Sequence, residues 1–107
     1  MMKTVAGNVS EVTDDTFADE ILSSALPVHV DFTADWYPGC RMIAPMLAEN
    51  GEQLRIVSLN VDHNPRAAAA YGVLAMPTLM LFRAGQPARS LVGARSKQRL
   101  MRGLAGA

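Results

Sequence analysis

Cysteine is nearly absent. Cys40 is the sole one in 107 residues, so no disulfide can form within the chain. An oxidising compartment offers such a chain no cross-link, and a cytoplasmic location is the expectation. An excess of charge of one sign is lacking too. Ten Lys and Arg balance ten Asp and Glu, which argues against nucleic acid as a partner, because phosphate backbones select basic surfaces. No run approaches the roughly 18–20 apolar residues of a membrane-spanning helix, so no membrane association is expected. Met1 to Val9 contain one Lys and no apolar stretch, unlike a secretory signal. Phosphate-binding Gly-rich loops are missing, and His29, His63 and Cys40 lack zinc-type spacing. Neither metal nor cofactor is expected.

Half of the chain is hydrophobic and 19% is charged, the composition of a globular domain with a compact core. The length suits one domain, expected to span residues 1–107, and a monomer is expected. The charges are unevenly placed. From Arg83 onward there are five Arg, one Lys and no acid. Two readings stay open: a solvated hairpin and terminal helix, with cations suited to the last helical turn, or a basic face that steers an acidic partner.

Thr13-Asp14-Asp15 reads as a helix start, with a capping hydroxyl and acids in the first turn. Phe17, Ile21 and Leu22 give that helix an apolar stripe. Val28 to Phe32 is a short strand with Asp31 embedded in it. A second helix is expected from Pro38, with Met42, Ile43, Met46 and Leu47 at helical spacing, a kink at Pro45 and a stop at Asn50-Gly51. Leu54 to Val61 alternates as a buried strand does. Asn64-Pro65 opens an Ala-rich helix running to Tyr71-Gly72. Thr78 to Phe82 and Arg89 to Val92 form a hairpin across Ala84-Gly85. Ser96 caps a last helix carrying Leu100 and Leu104. Strands alternating with helices, closed by a hairpin, predict an α/β fold with a mixed sheet and helices on both faces.

The segment Val30 to Pro45 reads Val-Asp-Phe-Thr-Ala-Asp-Trp-Tyr-Pro-Gly-Cys-Arg-Met-Ile-Ala-Pro. It resembles the thioredoxin family, whose pattern there is Val-Asp-Phe, a Trp, Cys-Gly-Pro-Cys, then Lys or Arg and Met-Ile-Ala-Pro. Further matches follow in order: Leu59-Asn60-Val61-Asp62, Asn64-Pro65, Tyr71-Gly72-Val73, Met76-Pro77-Thr78, Gly85 and Val92-Gly93-Ala94. The resemblance runs from about Val12 to Leu104 and implies a thioredoxin fold with a mixed central sheet of about five strands. It also implies a chemistry. A thiolate at a helix start attacks a target disulfide, and a second cysteine one turn later resolves the mixed disulfide. The resemblance further implies that Pro77 follows a cis bond after Met76. With Trp36, Gly93 and Ala94, that bond lines a shallow groove for an extended peptide.

The sequence departs from the pattern where it matters most. Tyr37 stands at the attacking-cysteine position, and Pro38-Gly39 reverses the usual Gly-Pro. Active single-thiol relatives such as monothiol glutaredoxins keep the first cysteine, whereas Cys40 matches the second, which the fold buries. A buried thiol is a small apolar group with a raised pKa and poor access. Roughly four residues are missing after Pro45, about one helical turn. Thr33 replaces a Trp, and Ser58 stands where a Lys is common. By resemblance, Asp31 is the general base for the resolving thiol. His29 lies two residues earlier on the same strand face, either as a core histidine with one satisfied nitrogen or as a partner of Asp31.

Two functions are therefore expected as alternatives. One is a binding module that keeps a groove of Trp36, Tyr37, Pro38, Gly39, Met76, Pro77, Gly93 and Ala94 without a dithiol cycle. The other is a monothiol oxidoreductase using Cys40 and Asp31, with an external resolving thiol such as glutathione. By resemblance, a thioredoxin reductase is a further partner.

Overall fold

The computed structural model describes residues 4–6, 9–36, 47 and 55–93. Their strands are β1 (Thr4–Ala6), β2 (Val9–Glu11), β3 (Val28–Thr33), β4 (Ile56–Asn60), β5 (Thr78–Arg83) and β6 (Gln86–Val92). They form one mixed sheet in the order β1-β2-β4-β3-β5-β6. β3 runs parallel to β4 and antiparallel to β5, and β6 returns antiparallel to β5. The α/β thioredoxin fold expected from the sequence is present. The sheet has six strands among the described residues where about five were expected. The addition is β1, three residues paired antiparallel with β2.

β3 lies centrally, and its first five residues are all buried. Alternation along the strand sorts its side chains onto two faces. Val28, Val30 and Phe32 join Val57, Leu59 and Phe82 in the larger core cluster. Ile56, Leu79 and Val9 form the smaller one, together with Leu47. Leu47 is helical and buried. The other expectations for the second helix (Pro38, Met42, Ile43, Pro45, Met46, Asn50-Gly51) and for the last helix (Ser96, Leu100, Leu104) lie outside the described residues.

The first helix departs from its expectation. The regular helix α1 covers Ala18–Leu22 in π-type winding; the Ser23 amide bonds to the Ala18 carbonyl at 3.0 Å, an i→i+5 step. Thr13 caps a separate entry turn. Its hydroxyl accepts from the Thr16 amide at 3.3 Å, while the Thr16 hydroxyl accepts from the Thr13 amide at 2.9 Å. Asp14 does not serve its own helix. Its carboxylate accepts from the amides of Arg66 (3.0 Å) and Ala67 (2.8 Å), the open first turn of helix α2 (Pro65–Ala70). Asn64 precedes α2 as expected but makes no capping bond. Its amide oxygen instead accepts from the Asp14 amide at 2.9 Å. Helix α2 is thus capped from a segment about fifty residues earlier.

α2 ends on a left-handed glycine. Gly72 has φ +66, and the Val73 amide reaches back to the Ala68 carbonyl at 2.9 Å, the bond that closes a Schellman motif. Tyr71 then packs edge-on to Phe82 at 5.0 Å and tilted against Phe17 at 5.6 Å. At the β5–β6 hairpin, Ala84 and Gly85 both have positive φ, as a two-residue primed turn requires.

Candidate functional site

The C-terminal ends of β3, β4 and β6 and the start of β5 meet at one end of the sheet, since Phe32 pairs with Thr78 and Thr78 with Val92. There the chain leaves β3 through Ala34 and Asp35 to Trp36. The indole Nε1 donates to the Asp62 carboxylate at 2.6 Å, which fixes the ring's edge while 64% of the residue stays exposed. Asp62 lies two residues past the end of β4, so this bond ties together the segments that leave two neighbouring parallel strands.

The Met76–Pro77 peptide bond is cis. Two hydrogen bonds hold the loop around it. The Thr78 hydroxyl donates to the Ala75 carbonyl at 2.7 Å, and the Gly93 amide donates to the Pro77 carbonyl at 2.8 Å. Gly93 has φ +84 with no heavy atom within 4 Å of where a Cβ would stand. Backbone conformation, not crowding, explains glycine here. Of the groove residues expected from the sequence, the structure gathers Trp36, Met76, Pro77 and Gly93 at this end. Tyr37, Pro38, Gly39, Cys40 and Ala94 lie outside the described residues.

Asp31 sits deeper, in the middle of β3, between Ser58 of β4 and Leu79 of β5 in register. Its Oδ1 is buried without a hydrogen-bond partner. Burial pushes its carboxyl up from 3.8 to about 7, because removal from water penalises the anion. His29 is buried on the same strand, and burial first, then the charges of Arg89 and Arg83, lower it from 6.5 to about 4. The His29 Nε2 also lacks a partner. No bond joins that nitrogen to Asp31 Oδ1, so the pairing considered from the sequence is not made through these atoms. The imidazole is a buried core group whose Nε2 is unpartnered.

The Trp36–Asp62 bond spans 26 residues. Both residues belong to motifs legible in the sequence, but spacing alone does not show that they meet. Among the described residues, no three of His, Cys, Asp and Glu gather as metal ligands. Within the same residues, no helix is long and apolar enough to cross a membrane.

The thioredoxin family model matches residues 8–106. The chain belongs to the thioredoxin family. It is 48% identical to the thioredoxin of Streptomyces clavuligerus over 101 residues, covering 92% of this chain and 94% of that protein. Thioredoxin 1 of a Nostoc strain is 44% identical over 95 residues, covering 85% of this chain and 89% of the relative. A bifunctional thioredoxin reductase/thioredoxin of Mycobacterium leprae is 45% identical over 103 residues, which is 92% of this chain but 22% of that protein. Membership places the chain in a redox family. The chain carries a single cysteine, Cys40.

Proposed function

We propose that this chain is a thioredoxin-fold protein of cell redox homeostasis whose dithiol reductase cycle is lost or strongly impaired and whose groove still binds extended protein segments. The observation that carries this reading is the single cysteine, with Tyr37 where the attacking thiol belongs and Cys40 at the resolving position. A two-electron dithiol cycle cannot close inside a chain with one thiol. What supports retained binding is the preserved end of the sheet: an exposed indole anchored by Asp62 beside the cis Met76–Pro77 loop. Tyr37 suits that surface, since tyrosine gives rigid contact area and a polar tip. On this reading residues 1–107 act as one monomeric cytoplasmic domain, and a thioredoxin reductase is a docking partner without turnover.

The test is insulin-disulfide reduction with dithiothreitol as electron source, beside a pull-down with and without reductant. Wild type is expected at the uncatalysed rate while still retaining partners that reductant does not release. Tyr37→Cys is expected to form an intramolecular disulfide under oxidant and to raise turnover. Recovery is partial, because Pro38 fixes φ just after the attacking position. Wild-type turnover equal to that of a two-cysteine thioredoxin would overturn the reading.

One observation favours a second reading, monothiol exchange. Asp31 keeps a carboxyl raised to about 7, the range in which a general base works at neutral pH. Here the Cys40 thiolate attacks a target disulfide, forming a mixed disulfide as the other target sulfur leaves as a thiolate. Glutathione thiolate then attacks the target sulfur, and Cys40 leaves as the thiolate. Labelling by an aromatic disulfide reagent separates the two readings. A slow native rate and a fast denatured rate fit a packed thiol, whereas equal rates fit monothiol exchange.

A further inference from the structure

Leu74, in the loop between α2 and β5, is 95% exposed. Its outward position is fixed by its neighbours. The Val73 amide bonds to the Ala68 carbonyl at 2.9 Å, and the Val73 side chain packs against the larger core cluster. On the other side the Ala75 carbonyl accepts from the Thr78 hydroxyl at 2.7 Å. Leu74 is thus held in water between two anchored residues.

Single exposed apolar residues are ordinary, but a gathering of them marks a contact surface. Among the described residues, the large exposed hydrophobics are Leu26, Trp36, Leu74 and Val92. Three of these belong to the end of the sheet that carries the cis bond. Trp36 follows β3 there, Val92 pairs with Thr78 in register, and Leu74 lies three residues before Pro77. Leu26 precedes β3, at the opposite end.

The chemistry of the loop selects what can cover it. Gly72 to Pro77 contain no polar side chain. A charged side chain arriving over Leu74 would give up water without gaining a partner from these residues. The acids at this end, Asp35 and Asp62, belong to the segments after β3 and β4, and Asp62 already accepts from the indole. Beside Pro77, a Cβ on Gly93 would meet nothing within 4 Å, so main chain can approach closely there. An extended segment presents alternate side chains to one face, which lets it lay main chain along this rim and a side chain on Leu74.

We infer that Leu74 is a specificity-determining contact of the groove, taking an apolar side chain of an extended protein segment whose main chain passes Pro77 and Gly93. The inference rests on the binding reading proposed above and is independent of how Cys40 behaves.

The test is amide chemical-shift titration of the full chain with short Ser-Thr peptides that carry Leu, Lys or Glu at alternate central positions. The Leu peptide is expected to bind most tightly and to shift the amides of Leu74, Ala75 and Gly93. Leu74→Ala should weaken it by about fivefold to tenfold, whereas Leu26→Ala, at the far end of the sheet, should not. Both side chains are exposed, so both variants are expected to melt as wild type does. Binding of the Lys or Glu peptide as tight as that of the Leu peptide, or unchanged affinity in Leu74→Ala, would overturn the inference and leave the groove standing. Binding of no peptide would overturn the groove reading and this inference with it. Self-association that Leu74→Ala abolishes would make a second copy the occupant and overturn the inference as well.

Discussion

Replacing Asp31 by alanine should invert its effect on stability as pH changes. In the folded protein burial raises the carboxyl from 3.8 to about 7. Between those values the folded state holds a proton that the unfolded state has released. Stability is therefore fully present below the unfolded value and falls as pH rises through the folded one, by about 1.4 kcal/mol per pH unit. By pH 8 the wild type has lost about 4 kcal/mol relative to its protonated form, an upper figure for so deeply buried a group. Alanine removes that loss, but deleting the carboxyl leaves a small cavity costing about 1–2 kcal/mol. Asp31→Ala is thus expected to be the more stable protein at pH 8 by about 2 kcal/mol. At pH 4 the wild-type carboxyl is largely neutral and only the cavity counts, so the order reverses, with the curves crossing near pH ~5. Urea titrations at fixed ionic strength from pH 4 to 8, comparing midpoints, measure the difference directly. His29 titrates in both proteins and cancels from it. Parallel curves would refute the reasoning, because they would mean that the carboxyl is solvated or paired in solution.

His29 acts from the other side of the pH scale. Its value is lowered from 6.5 to about 4, so stability is lost as pH falls through that window, and His29→Leu should remove this acid-side loss in the same urea titrations. Gly85→Ala should destabilise by about 2 kcal/mol or more, since it combines the left-handed penalty with a Cβ placed 2.7 Å from the Leu22 carbonyl oxygen; thermal melting checks it, and an unchanged midpoint would contradict the turn geometry. Asp14→Ala removes the cap of α2 and should cost about 0.5–2 kcal/mol. Hydrogen exchange should quicken at the Arg66 and Ala67 amides and stay unchanged at Val57.

The sheet was legible because its signals are local. Val28 to Phe32, Ile56 to Asn60 and Thr78 to Phe82 are apolar runs bounded by turn residues, and they appear within two residues of their expected bounds. Asn64-Pro65 and Tyr71-Gly72 likewise marked both ends of α2. The first helix was misread for a physical reason. Thr13-Asp14 carries a true capping pattern, but the Asp14 carboxylate serves α2, a contact that no window of neighbouring residues contains. Strand β1 was missed because three residues are too few to show a period. At the candidate site, Trp36, Met76, Pro77 and Gly93 were readable from family motifs. The unpartnered His29 Nε2 was not, since orientation within a packed core depends on every neighbour at once.

The outer strand β6 bears on how copies of this protein treat one another at high concentration. A bare strand at the margin of a sheet is a template on which another chain can grow. Among the described residues, β6 is seven residues long and lies at such a margin. Pro87 interrupts its row of amide donors, and the pairing slips register at Leu81/Phe82, opposite it. Arg89 adds a charge farther along the strand. A second β6 laid against this one meets a missing donor, a local distortion and a like charge, each opposing continued growth of the sheet. Substituting Pro87 would therefore show its effect less in folding than in the shelf life of concentrated solutions.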